Sequence, residues 1–131
     1  MAELHPDFLG EVARRAGLTP HVGYRQLVVQ HLYPDTLRLL LTSHRYVPID
    51  VVIGIGYSGR PEVVAALRDA GIRVLTPPFD EIDAVVRREL GDSLARARRD
   101  GVKLILHEVG GYAITSLHRD HLSEVAHVRG A

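Results

Sequence analysis

The run Ile49-Asp50-Val51-Val52-Ile53-Gly54-Ile55 constrains this chain more than any other segment. Its β-branched residues fall on odd and even positions alike, so a strand made from them is apolar on both faces. Such a strand is stable where helices cover a parallel sheet from either side, and this one is expected at the centre of the sheet. A half-solvated antiparallel sheet would instead alternate apolar with polar residues.

The neighbouring segments carry the same rhythm. Residues 6–16 place Phe8, Leu9, Val12 and Ala13 at helical spacing before Gly17. A first strand is expected in residues 24–31. Pro34 and Pro61 then suit first-turn positions, where the missing N–H is not needed. They open expected helices over residues 34–45 and 61–70, the second ended by Gly71. Residues 72–75 read as a strand that Pro77-Pro78 prevents from continuing. Residues 79–99 read as a long helix with a break at Gly91, and residues 102–106 as the fourth strand. A short helix is expected between Gly110-Gly111 and His127, with a fifth strand starting at Ala126-His127-Val128-Arg129. The expectation is one α/β domain over residues 1–131: three layers around a parallel sheet of four or five strands, flavodoxin- or Rossmann-like.

Composition narrows the function classes. The 131 residues carry 16 Lys+Arg against 16 Asp+Glu, a formal net charge of zero, so bulk electrostatics does not draw the chain to nucleic acid or an anionic membrane. With no cysteine there is no disulfide, thiolate nucleophile or iron–sulfur site. No signal-peptide pattern opens the chain, and no apolar run approaches the roughly 18 residues of a membrane span. A cytoplasmic location is expected.

Gly54-Ile55-Gly56-Tyr57-Ser58-Gly59 matches G-x-G-x-x-G between a strand and a helix. In a dinucleotide fingerprint the helix begins near the second glycine, whereas Pro61 starts this one later. Thr76-Pro77-Pro78 also stands where the ribose-binding acid is expected. The segment reads better as a tight turn lining a crevice at the carboxyl ends of the strands. Of the eight histidines, His118 and His121 flank Asp120, and His107 precedes Glu108 at a strand end. Neither group has the converging ligands that zinc needs, so no metal is expected. His31 ends the first strand just before a proline-initiated helix. There it suits either a general acid/base facing the crevice or a partly buried capping group.

From Gly23 onward the spacing resembles a known family. Gly23-Tyr24-Arg25-Gln26-Leu27-Val28-Val29-Gln30-His31-Leu32-Tyr33-Pro34-Asp35-Thr36 is similar to the S-adenosylhomocysteine hydrolase segment G-A-R-I-x-G-x-L-H-M-T-x-x-T. The stretch from Tyr57 to Leu67 resembles the family's S-T-Q-D-D-V-A-A-A-L, Gly71-Ile72-Arg73-Val74 its G-V-P-V, and the stretch from Ile105 to Tyr112 its I-L-D-D-G-G-D. The resemblance covers residues 23–115 in order, the family's N-terminal substrate-binding lobe.

The resemblance implies a catalytic role for His31 at a ribose and matches Glu108, a candidate catalytic carboxylate beside it, to the first Asp of the family's pair, the family assigning catalytic work to the second. It implies an adenine-edge contact for Asp35, with Thr36 after it, and substrate contacts from the Tyr57-Ser58-Gly59 turn. Val109 falls where the family has its second Asp, Tyr33 replaces a nucleoside-contacting Thr, and Gly59-Arg60 interrupts the S-T-Q-D motif. The family's activity also uses NAD held by a further domain with its own lysine; Lys103, the only lysine here, lies in an expected strand. The chain is therefore expected to bind a nucleoside-type ligand, to hold no cofactor itself, and to lack hydride transfer alone. NAD is expected only with a missing C-terminal domain. Its expected partners are that domain or further copies of the chain, with the Leu-rich helix at residues 34–45 and the segment after Gly111 as contact surfaces. Two alternatives remain open: an interaction or regulatory module that kept the fold and lost the chemistry, and a small cofactor-free hydrolase or lyase using His31 and Glu108.

Overall fold

The computed structural model describes residues 7–130; Pro6, included in the expected first helix, lies outside them. Helix α1 spans Phe8–Arg15 and leads into β1 (Tyr24–Gln30), α2 (Pro34–Tyr46), β2 (Ile49–Gly54), α3 (Pro61–Asp69) and β3 (Val74–Leu75). The long α4 (Ile82–Asp100) returns the chain to β4 (Lys103–Glu108), followed by α5 (Tyr112–Asp120) and the edge strand β5 (Val128–Gly130). Every strand pair is parallel, in the order β3-β2-β1-β4-β5. This is a Rossmann-like three-layer α/β fold, as expected.

Two cores sit on the two faces of the sheet. Val28, Val52 and Val74 point to one face with Leu40, Val63 and Leu67 from α2 and α3. Leu27, Val29, Val51, Ile53, Leu104 and Leu106 point to the other, packed on Val86, Leu90 and Leu94 of α4 and Leu117 of α5. Because α2 and α3 carry the chain one way from β1, and α4 carries it back across to β4, the strand order reverses between β1 and β4. Open parallel sheets bind ligands at the carboxyl end of such a reversal.

Four expectations need correction in detail. The centre of the sheet is β1, not β2: β3 is only two residues long but still pairs along β2's outer edge. Burial on both faces therefore does not single out β2. Helix α4 runs unbroken through Gly91, where an added Cβ would meet only the His121 ring at 3.7 Å, an ordinary contact. Phe79–Glu81 form a 3₁₀ turn before α4 rather than its first turn. The last helical segment divides into α5 and a 3₁₀ stretch at Leu122–His127. The Leu-rich α2 spends its leucines inward: Leu40 is buried and Leu37 and Leu41 pack on the same core, leaving Leu39 exposed.

One ion pair ties α4 to the loop before β3. Glu89, 1% exposed, accepts both Arg73 Nη1 and Nη2 at 2.5 and 2.9 Å, with Arg88 also reaching it. Burial pushes the Glu89 carboxyl up, but the hydrogen bonds and charge of Arg73 and Arg88 outweigh burial and hold it below its ordinary value. A carboxyl lowered in the fold contributes stability that is full above its unfolded pKa and is lost as pH falls through the folded one. Arg73→Ala should therefore cost about 2–3 kcal/mol in urea denaturation at pH 7, with Arg88 still present to limit the loss. The gap from wild type should narrow as the pH is taken through the acid range; equal midpoints at pH 7 would refute the assignment.

Candidate functional site

The crevice at the carboxyl edge begins with Leu32, the second residue after β1. Leu32 is fully buried, and an added Cβ on Gly54 would come within 2.6 Å of its Cδ1. With Leu32 pinned inward, its neighbours His31 and Tyr33 turn toward the outside. Backbone N–H of Arg60 donates to the Leu32 carbonyl at 3.2 Å, and Ile55 N–H to the Gln30 carbonyl at 3.1 Å, so the loops after β1 and β2 are joined.

The glycine-rich turn supplies the next wall. Gly56 can carry no side chain because a Cβ there would lie 2.6 Å from the Pro77 carbonyl oxygen, where the β3–α4 connection crosses. Gly56–Ser58 form a 3₁₀ turn, Gly59 and Arg60 are extended, and α3 starts at Pro61, which has no N–H. Gly59 has negative φ, and a Cβ there would make only ordinary contacts at 3.8 Å. A dinucleotide fingerprint needs a helix N-terminus at the turn and a third glycine for close packing. This turn offers neither and does not fit a pyrophosphate; Gly54 and Gly56 instead make room for Leu32 and the Pro77 carbonyl.

Around His31 the side chains form a chain of rings. Its ring stacks on Tyr33 at 6.0 Å and lies 5.5 Å from Tyr57, which in turn meets Phe79 at 5.7 Å; the Arg60 guanidinium sits 5.9 Å over Tyr33. Tyr57 and Phe79 are 69% and 59% exposed, so much of this aromatic surface is open. His31 Nδ1 is 2.9 Å from Ser58 Oγ, and that hydroxyl donates to the Ile55 carbonyl at 2.8 Å. Asp35 is exposed in the first turn of α2 and Thr36 beside it is half-buried. A cleft of about 340 Å³ opens on the α3 side of the turn, between Gly56, Gly59, Pro61, Arg68 and Thr76.

Glu108 ends β4 in register with Val29, near His31. Its two carboxylate oxygens accept the N–H groups of Ala113 and Ile114 at 2.7 and 2.9 Å, across the left-handed pair Gly110 (φ +89°) and Gly111 (φ +71°). Glu108 thus caps α5, satisfying two N–H groups that the helix cannot pair internally. Next to it, His107 points to the opposite sheet face. Its Nδ1 lies 3.4 Å from Gln26 Oε1 and its Nε2 lies 3.4 Å from Gln30 Nε2; burial lowers its pKa. His118 Nδ1 approaches the Ile114 carbonyl at 2.8 Å. Among the described residues no group of three or more His, Asp or Glu could hold a metal ion, and no helix is long and apolar enough to cross a membrane.

The structure therefore brings His31, Tyr57, Ser58 and Gly59 to one edge, with Asp35 following on α2 and Glu108 on the adjacent strand. The sequence reading missed the aromatic surface of Tyr33 and Phe79. Its one local signal, that Tyr33 and Phe79 each stand next to a proline where a helical segment starts, does not say that the two starts meet in space. No family model, curated protein or solved structure matches the chain.

The cap makes a direct prediction. Glu108→Ala should lower stability by about 1–2 kcal/mol, and Glu108→Gln, which keeps one acceptor, by roughly half as much. Urea denaturation of the two variants checks the order; an unchanged midpoint for Glu108→Ala would rule out the capping role.

Proposed function

We propose that this domain binds a nucleoside-type small molecule at the carboxyl edge of β1, β2 and β4, as the substrate-binding lobe of a protein resembling S-adenosylhomocysteine hydrolase. In this reading it performs no hydride transfer alone and works with a separate NAD-binding domain or with further copies of itself. The observation that carries the reading is the position of His31 beside the strand-order reversal, stacked on Tyr33 and next to the exposed ring of Tyr57. A planar base has the exposed ring of Tyr57 to stack on there, and a ribose hydroxyl has an imidazole to meet. Asp35, in the first turn of the helix that follows, supplies an acceptor for an exocyclic amino group. The same acidic position disfavours a phosphorylated ligand.

A second reading draws on one specific observation. The Tyr33, Tyr57 and Phe79 rings are exposed together, which also suits contact with another protein. Calorimetry with adenosine and with S-adenosylhomocysteine separates the two. Wild type should bind, and Asp35→Ala and His31→Ala should each weaken binding by roughly 1.5–3 kcal/mol. No binding at millimolar ligand would leave the protein-contact reading, and binding that survives both substitutions would place the ligand elsewhere.

A further inference from the structure

Ser58 is an unusual residue for its surroundings. It is 3% exposed, and its hydroxyl has two protein partners: it donates to the Ile55 carbonyl at 2.8 Å and lies 2.9 Å from His31 Nδ1. That carbonyl is already served by Ser58's own backbone N–H at 2.9 Å, so the turn does not need the hydroxyl to close. A buried hydroxyl has one hydrogen and two lone pairs. With its hydrogen committed to Ile55, the oxygen facing His31 is an acceptor, and Nδ1 must carry the proton that fills the 2.9 Å contact. A neutral imidazole protonated on Nδ1 has a bare Nε2.

We propose that Ser58 is a positioning residue for His31: it holds the ring in the Nδ1–H tautomer, so that Nε2 is offered to the ligand as a hydrogen-bond acceptor for a hydroxyl group. The proposal rests on the nucleoside reading for its ligand, but the tautomer stands apart from it. The chain of direction runs from His31 Nδ1–H to Ser58 Oγ and on from Ser58 O–H to the Ile55 carbonyl, every link anchored in the 3₁₀ turn. Tyr33, nearly parallel to the imidazole at 16°, and Tyr57, tilted by 55°, both pack on the ring. The turn thus replaces phosphate binding with a different task. Its glycines bring the backbone close enough for Ser58, 27 positions along the chain, to reach the residue that follows β1.

The test uses the full chain labelled with ¹⁵N in histidine. Long-range ¹H–¹⁵N correlation spectra at alkaline pH should show His31 with a protonated Nδ1 and an unprotonated Nε2. Ser58→Ala should turn this into a mixture of tautomers, and Ser58→Thr, which keeps the hydroxyl, should restore the wild-type pattern. A merely structural serine would leave the tautomer unmoved. Adenosine is the ligand probe: Ser58→Ala should weaken its binding about fivefold, the equivalent of one neutral hydrogen bond, with Ser58→Thr closer to wild type. A wild-type His31 protonated on Nε2 overturns the proposal without any variant, as does an unchanged tautomer in Ser58→Ala. If the tautomer shifts as described while wild type binds no adenosine, the positioning role holds and the nucleoside reading falls.

Discussion

Both halves of the sheet meet on one strand. β1 pairs with β2 on one edge and with β4 on the other, and Leu27, Val28 and Val29 are fully buried in alternation, two toward α4 and α5 and one toward α2 and α3. No other strand supports both halves of the sheet, so a polar change within these three residues would expose a cost in one core or the other. The same position fixes where a ligand can go. Helices leave β1 and β4 on opposite faces, and the strand order reverses between the two, so the carboxyl edge is left uncovered there.

The site follows from how the chain leaves that strand. Leu32 turns inward over Gly54, and the residue on either side of it must then turn outward. Gly56 lets the Pro77 carbonyl come close, which draws the β3–α4 connection, and with it Phe79, toward Tyr57. Two close approaches to glycines, one by the Leu32 side chain and one by the Pro77 backbone, thus assemble the ring series Tyr33, His31, Tyr57 and Phe79 from three separate loops. Substituting either glycine would disturb the aromatic surface without touching a ring.

Much of the fold was legible because its signals are local. Pro34 and Pro61 stand at helix starts, Gly71 stops α3 with a φ of +81°, and β1 and β2 fall where β-branched residues cluster. What was not legible depends on partners distant in sequence. Gly91 reads as a break, but a long helix with buried Leu90 and Leu94 on either side of it overrides one weak position. The cap of α5 lies outside any local rule, since Glu108 reaches forward over two left-handed glycines instead of standing next to the helix. The contact of His31 with Ser58 joins two loops that only the pairing of β1 with β2 brings together.

Electrostatics at the carboxyl edge gives the site its chemical character. In a parallel sheet every connecting helix points its N-terminus to this edge, and the partial positive charges there ordinarily suit phosphate. Here each helix arrives with its own answer. Pro34 removes an N–H from α2 and Asp35 follows it; Pro61 and Glu62 do the same for α3; Asp80, Glu81 and Asp83 surround the start of α4; and Glu108 takes two N–H groups of α5 for itself. At α5 two donors that would hold an added anion are already used by Glu108, and at the other helix starts the acidic side chains add negative charge beside the free N–H groups. A ligand that brings its own donors, hydroxyl or amino, and a flat face for the rings meets this edge on favourable terms, whereas one that brings a phosphate meets acidic side chains at α2, α3 and α4 and a carboxylate already seated at α5.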